Sequence, residues 1–370
     1  MEIPSASMLL CRDVNPKILY SRKVLIVKLS ALGDILHALP ALKYLRRTAP
    51  SLEIHWASDA SFAELLAGCP EVVKAVPFPF REWKKQSFSP KTWKEVLGAV
   101  RALRRERYDI AIDIQGNLKS GLVTRLSGAP LRIGFDRDGV REAPNLLLTN
   151  RKARLLPEDR HVSRKYLRVA SCLFGEPFEP SDLSPDLSVS AEDRDAAASL
   201  VKELLGDAVF RVAVHSGSTW PTKRMSKVFW AGVILSLRER CPAVGVLLSW
   251  GSEEERREAL EIREMAGGSV ELLPRLSIMR LAAVYRECGF VMAPDTGPLH
   301  LAAAVGAATV SVFRATDGLR NAPDGASHRF LQAPMECTAC LRKECDRNQM
   351  CLDSVSSLEA AELMAGLMGA

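Results

Sequence analysis

An acid, a hydroxyl, a glycine and an imidazole stand together in the segment APDTGPLHLAAAVG, residues 293–306. An apolar run ends there in Pro-Asp-Thr-Gly-Pro, and a stretch of small residues typical of a helix follows. Backbone N–H groups at a helix start bind anions, and a glycine lets a ligand approach the backbone closely. The segment therefore predicts a phosphate cradle formed by Asp295, Thr296, Gly297 and His300. A histidine packed into the core is the alternative for His300.

A second candidate anion site lies in HSGSTWPTKR, residues 215–224, which follows another apolar run. Gly217, Ser218 and Thr219 supply backbone amides and hydroxyls, and Lys223 supplies a positive charge. A solvated surface loop is the alternative. The spacing of a Walker loop is missing and no G-x-G-x-x-G follows a strand, so neither an ATPase nor a nicotinamide enzyme is indicated.

Two further segments place carboxylates at the ends of predicted strands. VKLSALGDILHALPALKYLRR, residues 27–47, puts Asp34 just after a strand, where ligands of open α/β sheets gather. An N-cap role is the alternative for Asp34. In SWGSEEERREALEI, residues 249–262, a predicted helix begins with three glutamates. Negative side chains in a first helical turn interact favourably with the helix dipole, which would explain their presence. One of these carboxylates is also suited to accept hydrogen bonds from a ribose.

Length and composition indicate a globular protein of two domains. The chain has 370 residues, of which 47% are hydrophobic and 25% charged. It lacks an apolar run of the about 20 residues needed to span a bilayer, and it lacks the pattern of a secretory signal. We therefore expect a cytoplasmic protein.

The positive charge is concentrated in the first half of the chain. Residues 1–185 hold 30 Lys and Arg against 20 Asp and Glu, whereas residues 186–370 hold 20 against 24. The first half is therefore expected to meet an anionic partner. Nucleic acid is not expected to be that partner, because zinc-finger spacing, an aromatic strand signature and a lysine-rich tail are all missing.

The order of the predicted elements indicates two doubly wound α/β domains with a cleft between them. Short β-rich runs alternate with longer segments of helical periodicity, which is typical of parallel sheets covered by helices. The predicted strands cover residues 23–29, 52–58, 108–114 and 131–135, and then 210–217, 244–250, 269–274, 289–294 and 308–313. Residues 175–193, rich in Pro, Ser and acids, are the predicted linker.

Four segments in this order resemble glycosyltransferase family 9, the lipopolysaccharide heptosyltransferases. They are VKLSALGDILHALPAL, DIQGNLKSGLVTRL, WPTKR and DTGPLHLAAAVG, and the similarity covers roughly residues 23–352. Residues 81–96 and 134–152 are more similar to the heptosyltransferase I branch. The resemblance implies a GT-B fold and transfer of heptose from ADP-heptose with inversion, without a metal or a cofactor. It implies an anionic lipopolysaccharide precursor as acceptor, with the heptose added in its Kdo and inner-core region, and a peripheral position on the cytoplasmic face of the inner membrane. Another nucleotide sugar or acceptor is the nearest alternative, and a nucleotide-binding protein without catalytic activity is the distant one.

The resemblance also implies domain roles. Residues 1–22 are an N-terminal extension, 23–185 an acceptor-binding domain, 186–352 a nucleotide-sugar-binding domain and 353–370 a C-terminal helix. Asp34 matches the general base of the family. The residues that match its donor site are Ser218, Thr219, Lys223, Glu255, Asp295, Thr296, Gly297 and His300, with Glu253 in place of Glu255 if a small gap is allowed. The residues that match its acceptor site are Arg81, Lys84, Lys85 and Lys119.

Four cysteines near the C-terminus depart from heptosyltransferase I. CTACLRKECDRNQMC contains Cys337, Cys340, Cys345 and Cys351, and it resembles the corresponding segment of heptosyltransferase II. The spacing leaves free thiols, a local disulfide, a zinc site or an iron–sulfur cluster open.

Overall fold

The protein is described by a computed structural model that covers residues 22–174, 178–183, 185–268 and 270–369. The chain divides into two units of similar size, one ending at Asp186 and the other beginning at Leu187. The predicted N-terminal extension lies outside the described residues, except for Arg22. Within the described ranges, we find that each helix is too short or too polar to cross a membrane.

Unit 1 is built on a six-stranded parallel sheet with the order β3-β2-β1-β4-β5-β6. Its strands are β1 Lys23–Val27, β2 Glu53–Asp59, β3 Lys74–Phe78, β4 Ile110–Asp113, β5 Leu131–Phe135 and β6 Arg151–Ala153. Its helices are α1 Leu32–Leu36, α2 Leu39–Thr48, α3 Ala63–Ala67, α4 Phe80–Lys85, α5 Pro90–Arg105, α6 Leu118–Leu126 and α7 Val162–Ser171. Because β1 and β4 are neighbours at the centre of the sheet, the loops that follow them lie together at the carboxyl ends of these strands.

Unit 2 repeats this architecture with the order β12-β11-β10-β7-β8-β9, again all parallel. Its strands are β7 Phe210–His215, β8 Val244–Ser249, β9 Val270–Leu272, β10 Gly289–Pro294, β11 Ala308–Phe313 and β12 His328–Gln332. Its helices are α8 Ala191–Leu205, α9 Lys227–Arg240, α10 Glu253–Ala266, α11 Ile278–Cys288, α12 Gly297–Ala304, α13 Gly318–Asn321, α14 Asn348–Asp353 and α15 Ser357–Met368. The strands β10, β7 and β8 are adjacent, so the three predicted site loops that follow them lie together at the carboxyl ends of the strands.

The C-terminal helix completes the core of unit 2. Ala360, Ala361 and Met364 on one face of α15 are fully buried in the same hydrophobic cluster as Trp230 of α9. Alanines on this face allow close packing against α9, and the burial of their apolar surface stabilises the unit.

The sequence prediction missed three strands, and all three lie at sheet edges. The missed strands are β3, β6 and β12. An edge strand is partly exposed, so its sequence loses the continuous apolar run of a strand buried on both faces. The linker prediction was also too long, because α8 begins at Ala191 with Ser190 as its N-cap.

Candidate active site

The loop after β1 is held by a glutamine from the neighbouring strand. The side-chain carbonyl of Gln115, just beyond β4, accepts hydrogen bonds from the backbone N–H groups of Leu29 at 2.6 Å and Ser30 at 3.3 Å. β4 pairs directly with β1, so both chain segments leave the sheet at the same edge. This fixed loop leads into α1, whose third residue is Asp34.

Asp34 is oriented by a tyrosine and a buried lysine. The hydroxyl of Tyr166, on α7, donates to Oδ1 of Asp34 at 3.0 Å. The ammonium of Lys28 donates to the same hydroxyl at 2.8 Å and lies 3.7 Å from Oδ1 of Asp34. The Lys28 side chain is 2% exposed, whereas that of Asp34 is 34% exposed. Asp34 therefore presents a partly open carboxylate on a rigid, positively charged support.

These contacts hold Asp34 in its ionised form. Burial raises the pKa of its carboxyl group, but the charge of Lys28 and the hydrogen bond from Tyr166 outweigh burial, so the pKa lies below its ordinary value. Burial lowers the pKa of Lys28, against the opposing charges of Asp34 and Asp113. The carboxylate is therefore ionised and partly open to solvent, so it can accept a proton from a bound hydroxyl group, with a lower basicity than an ordinary aspartate.

The alternative role of Asp34 as a helix N-cap is wrong. The N-cap of α1 is Ala31, and Asp34 accepts a 3.3 Å hydrogen bond from the backbone N–H of that residue. The carboxylate therefore helps to close the first turn from its third position, where it also interacts favourably with the helix dipole. This local role and a chemical role are compatible, because the side chain remains partly exposed.

In unit 2, the predicted phosphate loop after β7 contains a lysine held by an aspartate. Lys223 ends a short 3₁₀ turn, and its ammonium donates to Oδ2 of Asp295 at 2.7 Å. Ser218 is buried with its hydroxyl 3.5 Å from the backbone carbonyl of Asp295, whereas Thr219 is exposed. The loop therefore combines one exposed hydroxyl with one positioned ammonium.

Asp295 forms hydrogen bonds with the polar side chains around it and positions them. It is 6% exposed and also accepts hydrogen bonds from Thr316 Oγ1 at 2.7 Å and from His300 Nε2 at 3.4 Å. Burial raises the pKa of Asp295, but the hydrogen bond from His300 and the charge of Lys223 lower it by more. The pKa therefore lies below its ordinary value, and the carboxyl group stays ionised. Its position favours support of Lys223 and His300 over direct contact with an anionic phosphate.

The start of α12 has the features of an anion-binding helix terminus. Thr296 is its N-cap but makes no side-chain cap hydrogen bond, and Gly297 is its first residue. β10, which leads into this helix, pairs with β7, so the helix start and the Lys223 loop leave the same sheet edge. His300 is buried, which agrees with the core alternative as well as with a supporting role.

The structure distinguishes Glu255 from Glu253. The carboxylate of Glu255 accepts hydrogen bonds from the backbone N–H groups of Gly251 at 2.8 Å and Ser252 at 3.2 Å. It also lies against Gly217, where any side chain would collide with it. Glu253 is 71% exposed, and its carboxylate lies 3.9 Å from the guanidinium of Arg256 on the same helix. Of the two, Glu255 is the one beside the predicted phosphate loop.

The basic residues assigned to the acceptor lie on two neighbouring helices. Arg81, Lys84 and Lys85 are exposed on α4. The ammonium of Lys119, on α6, lies 4.2 Å from the ring centre of Phe80 at the start of α4. Burial lowers the pKa of Lys119, against the opposing charge of Asp59, and the nearby charge of Lys84 also lowers it. The structure therefore brings these four cations to one region of unit 1.

The sequence prediction missed the residues that orient the candidate groups. These are Lys28, Gln115, Tyr166 and Thr316. The sequence contained a weak indication for Lys28, because this lysine directly follows a buried strand and a buried lysine is seldom found without a partner. Tyr166 lies 132 residues from Asp34 and nothing in the sequence connects them.

The four C-terminal cysteines surround one pocket of unit 2 and are free thiols. Thr222 and Arg314 also line this pocket, so it borders the 3₁₀ turn that ends in Lys223. Across the described ranges, no three or more His, Cys, Asp or Glu side chains are grouped so that they could hold a metal ion.

Comparison with known proteins places these features in a family. Residues 96–351 match glycosyltransferase family 9 (heptosyltransferase). The chain is 32% identical over 327 residues to lipopolysaccharide heptosyltransferase 1 of Pseudomonas aeruginosa, covering 87% of each protein. It is 30% identical over 339 residues to lipopolysaccharide heptosyltransferase 1 of Escherichia coli K12, covering 91% of this chain and 100% of that protein.

A solved structure agrees with the sequence relatives. The E. coli heptosyltransferase WaaC with ADP-2-deoxy-2-fluoro heptose matches with a TM-score of 0.69 and 28% identity, over 86% of this chain and 97% of that chain. The predicted α/β class and GT-B fold are confirmed by this match and by the two parallel sheets. The chain therefore belongs to glycosyltransferase family 9, the heptosyltransferases.

Proposed function

We propose that this protein transfers a heptose from ADP-heptose to the Kdo and inner-core region of lipopolysaccharide. The observation that carries the proposal is the likeness to lipopolysaccharide heptosyltransferase 1 along most of the chain, at 32% identity. The matching WaaC structure contains an ADP-heptose analogue, which supports ADP-heptose as the donor.

Asp34 acts as the general base in this proposal. The acceptor hydroxyl gives its proton to the carboxylate as its oxygen forms a bond to the anomeric carbon of the heptose. The bond from that carbon to the β-phosphate oxygen breaks, and ADP leaves with the electron pair. Attack opposite the leaving group inverts the anomeric centre. Lys28 and Tyr166 keep the carboxylate ionised and directed, which supports this assignment.

Lys223 stabilises the charge that develops on the leaving ADP. Its ammonium is positioned by Asp295, and the start of α12 contributes backbone N–H groups at the same sheet edge. Ser218 and Thr219 border the phosphates in this scheme, and Glu255 accepts hydrogen bonds from the ribose. Since fixed positive groups neutralise the phosphates, this proposal assigns no step to a metal ion.

The acceptor is an anionic lipopolysaccharide precursor, and the exposed cations Arg81, Lys84 and Lys85 with Lys119 bind its negative groups. Such a lipid-linked acceptor places the protein at the cytoplasmic face of the inner membrane. Reversing the charges of Arg81, Lys84 and Lys85 is expected to raise the Michaelis constant for the acceptor and leave ADP affinity unchanged. The effect should weaken with added salt, since these side chains are exposed. Loss of ADP binding instead would assign the two domains the other way round.

A donor screen tests the proposed reaction. The full chain is incubated with Kdo-lipid A and, separately, ADP-heptose, UDP-sugars or GDP-sugars, and products are detected by mass. We expect a heptose mass increment with ADP-heptose alone, and an inverted anomeric configuration by NMR. Transfer only from a UDP- or GDP-sugar would replace the heptosyl assignment with another family 9 activity. ADP binding without any turnover would indicate a nucleotide-binding protein.

A further inference from the structure

The turn before α5 and the outer face of that helix expose large apolar side chains. Phe88 in the turn is 97% exposed, and Trp93 and Leu97 on the helix are 61% and 53% exposed. Trp93 and Leu97 are four residues apart, so they lie on one face. Thr92 and Leu103 face the other way and are buried. Large exposed apolar groups that lie together are typical of an interaction surface.

Positive charge surrounds these apolar side chains. Residues 81–105 contain eight Lys and Arg but only two Glu. One of the two, Glu95, accepts a 3.2 Å hydrogen bond from the indole N–H of Trp83 and thereby joins α5 to α4. We define the α5 surface as the six exposed residues Phe88, Lys91, Trp93, Lys94, Leu97 and Arg101.

The α5 surface stands on a packed base. The ring of Phe80 stacks on that of Phe78 at 5.3 Å, and the indole of Trp83 meets Phe80 edge-on at 5.7 Å. Phe78 and Leu103 belong to a hydrophobic core cluster of unit 1, and Phe80 and Trp83 pack against it. The exposed groups are therefore presented by a firmly attached helix, and their exposure is not the result of a poorly packed segment.

We propose that the α5 surface docks on the headgroup region of an anionic phospholipid bilayer. Aromatic and aliphatic side chains enter the interface, while flanking Lys and Arg side chains attract anionic lipids. A helix with basic residues around an apolar stripe matches both properties of this environment, which are an apolar interior and a negatively charged surface. The inference rests on the proposed function in one respect, because a lipid-linked acceptor makes membrane docking useful. α4, which bears three of the four acceptor candidates, leads directly into this surface.

Vesicle flotation tests the charge contribution. The full chain is floated with phosphatidylcholine vesicles containing 30 mol% phosphatidylglycerol (about one anionic lipid in three) and with pure phosphatidylcholine vesicles. We expect binding to the anionic vesicles only, weakened by salt.

Lys91→Glu/Lys94→Glu/Arg101→Glu should lower the partition coefficient at least about 100-fold, since each basic side chain near such a surface contributes about fivefold. Three reversals at exposed sites in unit 2, Lys202→Glu/Arg194→Glu/Arg286→Glu, are the matched control and should change it by less than about tenfold.

A second variant tests the apolar contribution. Phe88→Ala/Trp93→Ala/Leu97→Ala removes exposed groups only, so folding should be retained, and vesicle binding should fall about tenfold or more. Absence of wild-type flotation, equal loss in the unit 2 control, or binding to neutral vesicles alone would each overturn the proposal. So would a wild-type dimer that the apolar variant converts to monomer, because a second copy would then cover the surface.

Transfer to an acyl-free Kdo acceptor separates this inference from the proposed function. Both α5 variants should retain this transfer within about twofold, because the acceptor needs no membrane and their substitutions lie outside the proposed binding groups. Absence of transfer in the wild type, with vesicle binding intact, would contradict the heptosyl proposal alone. Normal transfer without vesicle binding would contradict the membrane inference alone.

Discussion

Replacing Asp34 by Asn tests the proposed general base, and the structure adds a consequence for stability. Asparagine keeps the size of the side chain but has one oxygen in place of two, so it can accept from either Tyr166 or the backbone N–H of Ala31, which now donate to different oxygens. It cannot take a proton, so turnover should fall about 10²- to 10⁴-fold. It also leaves the buried ammonium of Lys28 without its carboxylate, so the folded protein should be less stable.

The size of the stability loss follows from the geometry. At 3.7 Å, the attraction between Lys28 and Asp34 is about 4 kcal/mol for an effective dielectric constant of about 20. Because the Asp34 side chain is 34% exposed, solvent screening reduces the expected loss to about 2 kcal/mol. For a unit of this size, such a loss lowers Tm by about 4–8 °C. The variant should therefore still be folded at 25 °C.

Two further variants separate lost stability from lost chemistry. Lys28→Met removes the same ion pair but keeps the carboxylate, and it should retain turnover within about tenfold at pH 8. Lys28→Met/Asp34→Asn contains no buried ammonium without a carboxylate, so Tm should recover relative to Asp34→Asn while turnover remains lost. Turnover is measured as product mass under saturating donor and acceptor, and Tm on the same preparations. Near-wild-type turnover in Asp34→Asn, or turnover that recovers together with Tm in the double variant, would refute the general-base assignment.

Four other substitutions test the remaining parts of the site. Tyr166→Phe removes a hydrogen bond that lowers the pKa of Asp34, so the acid limb of kcat/KM should move to higher pH; an unmoved limb would disconnect it from Asp34. Lys223→Ala should weaken ADP binding about 10- to 150-fold by calorimetry, because a charge-assisted contact to phosphate contributes about 1.5–3 kcal/mol. Unchanged affinity would remove Lys223 from the donor site. Glu255→Gln should weaken ADP binding about tenfold, as expected for a hydrogen bond to a charged group, and Glu253→Gln should not; the reverse result would select Glu253 as the ribose ligand.

The central strands of both sheets could be predicted from the sequence, because a parallel strand covered on both faces needs a continuous apolar run. KVLIV of β1 and GFVMAP of β10 are such runs. Three of the four edge strands, β3, β6 and β12, lack this signal. β3 contains an exposed lysine and a proline, and β6 has only three residues, two of them basic and partly exposed. Their pairing depends on a neighbouring strand that is distant in sequence, which local patterns do not report.

The strand-end positions of Asp34, Lys223 and Asp295 were also evident from the sequence, since chemistry in parallel sheets collects beyond the carboxyl ends of strands. Only the tertiary structure decided what each side chain contacts. Asp295 fitted a phosphate cradle by its neighbours in sequence, but the fold brings Lys223 to it across 72 residues, and the aspartate becomes the support of that lysine. Tyr166 comes to Asp34 across 132 residues. Local sequence determines which groups stand at a strand end, whereas hydrogen bonds and charges act over a few ångströms of space and depend on how distant segments pack.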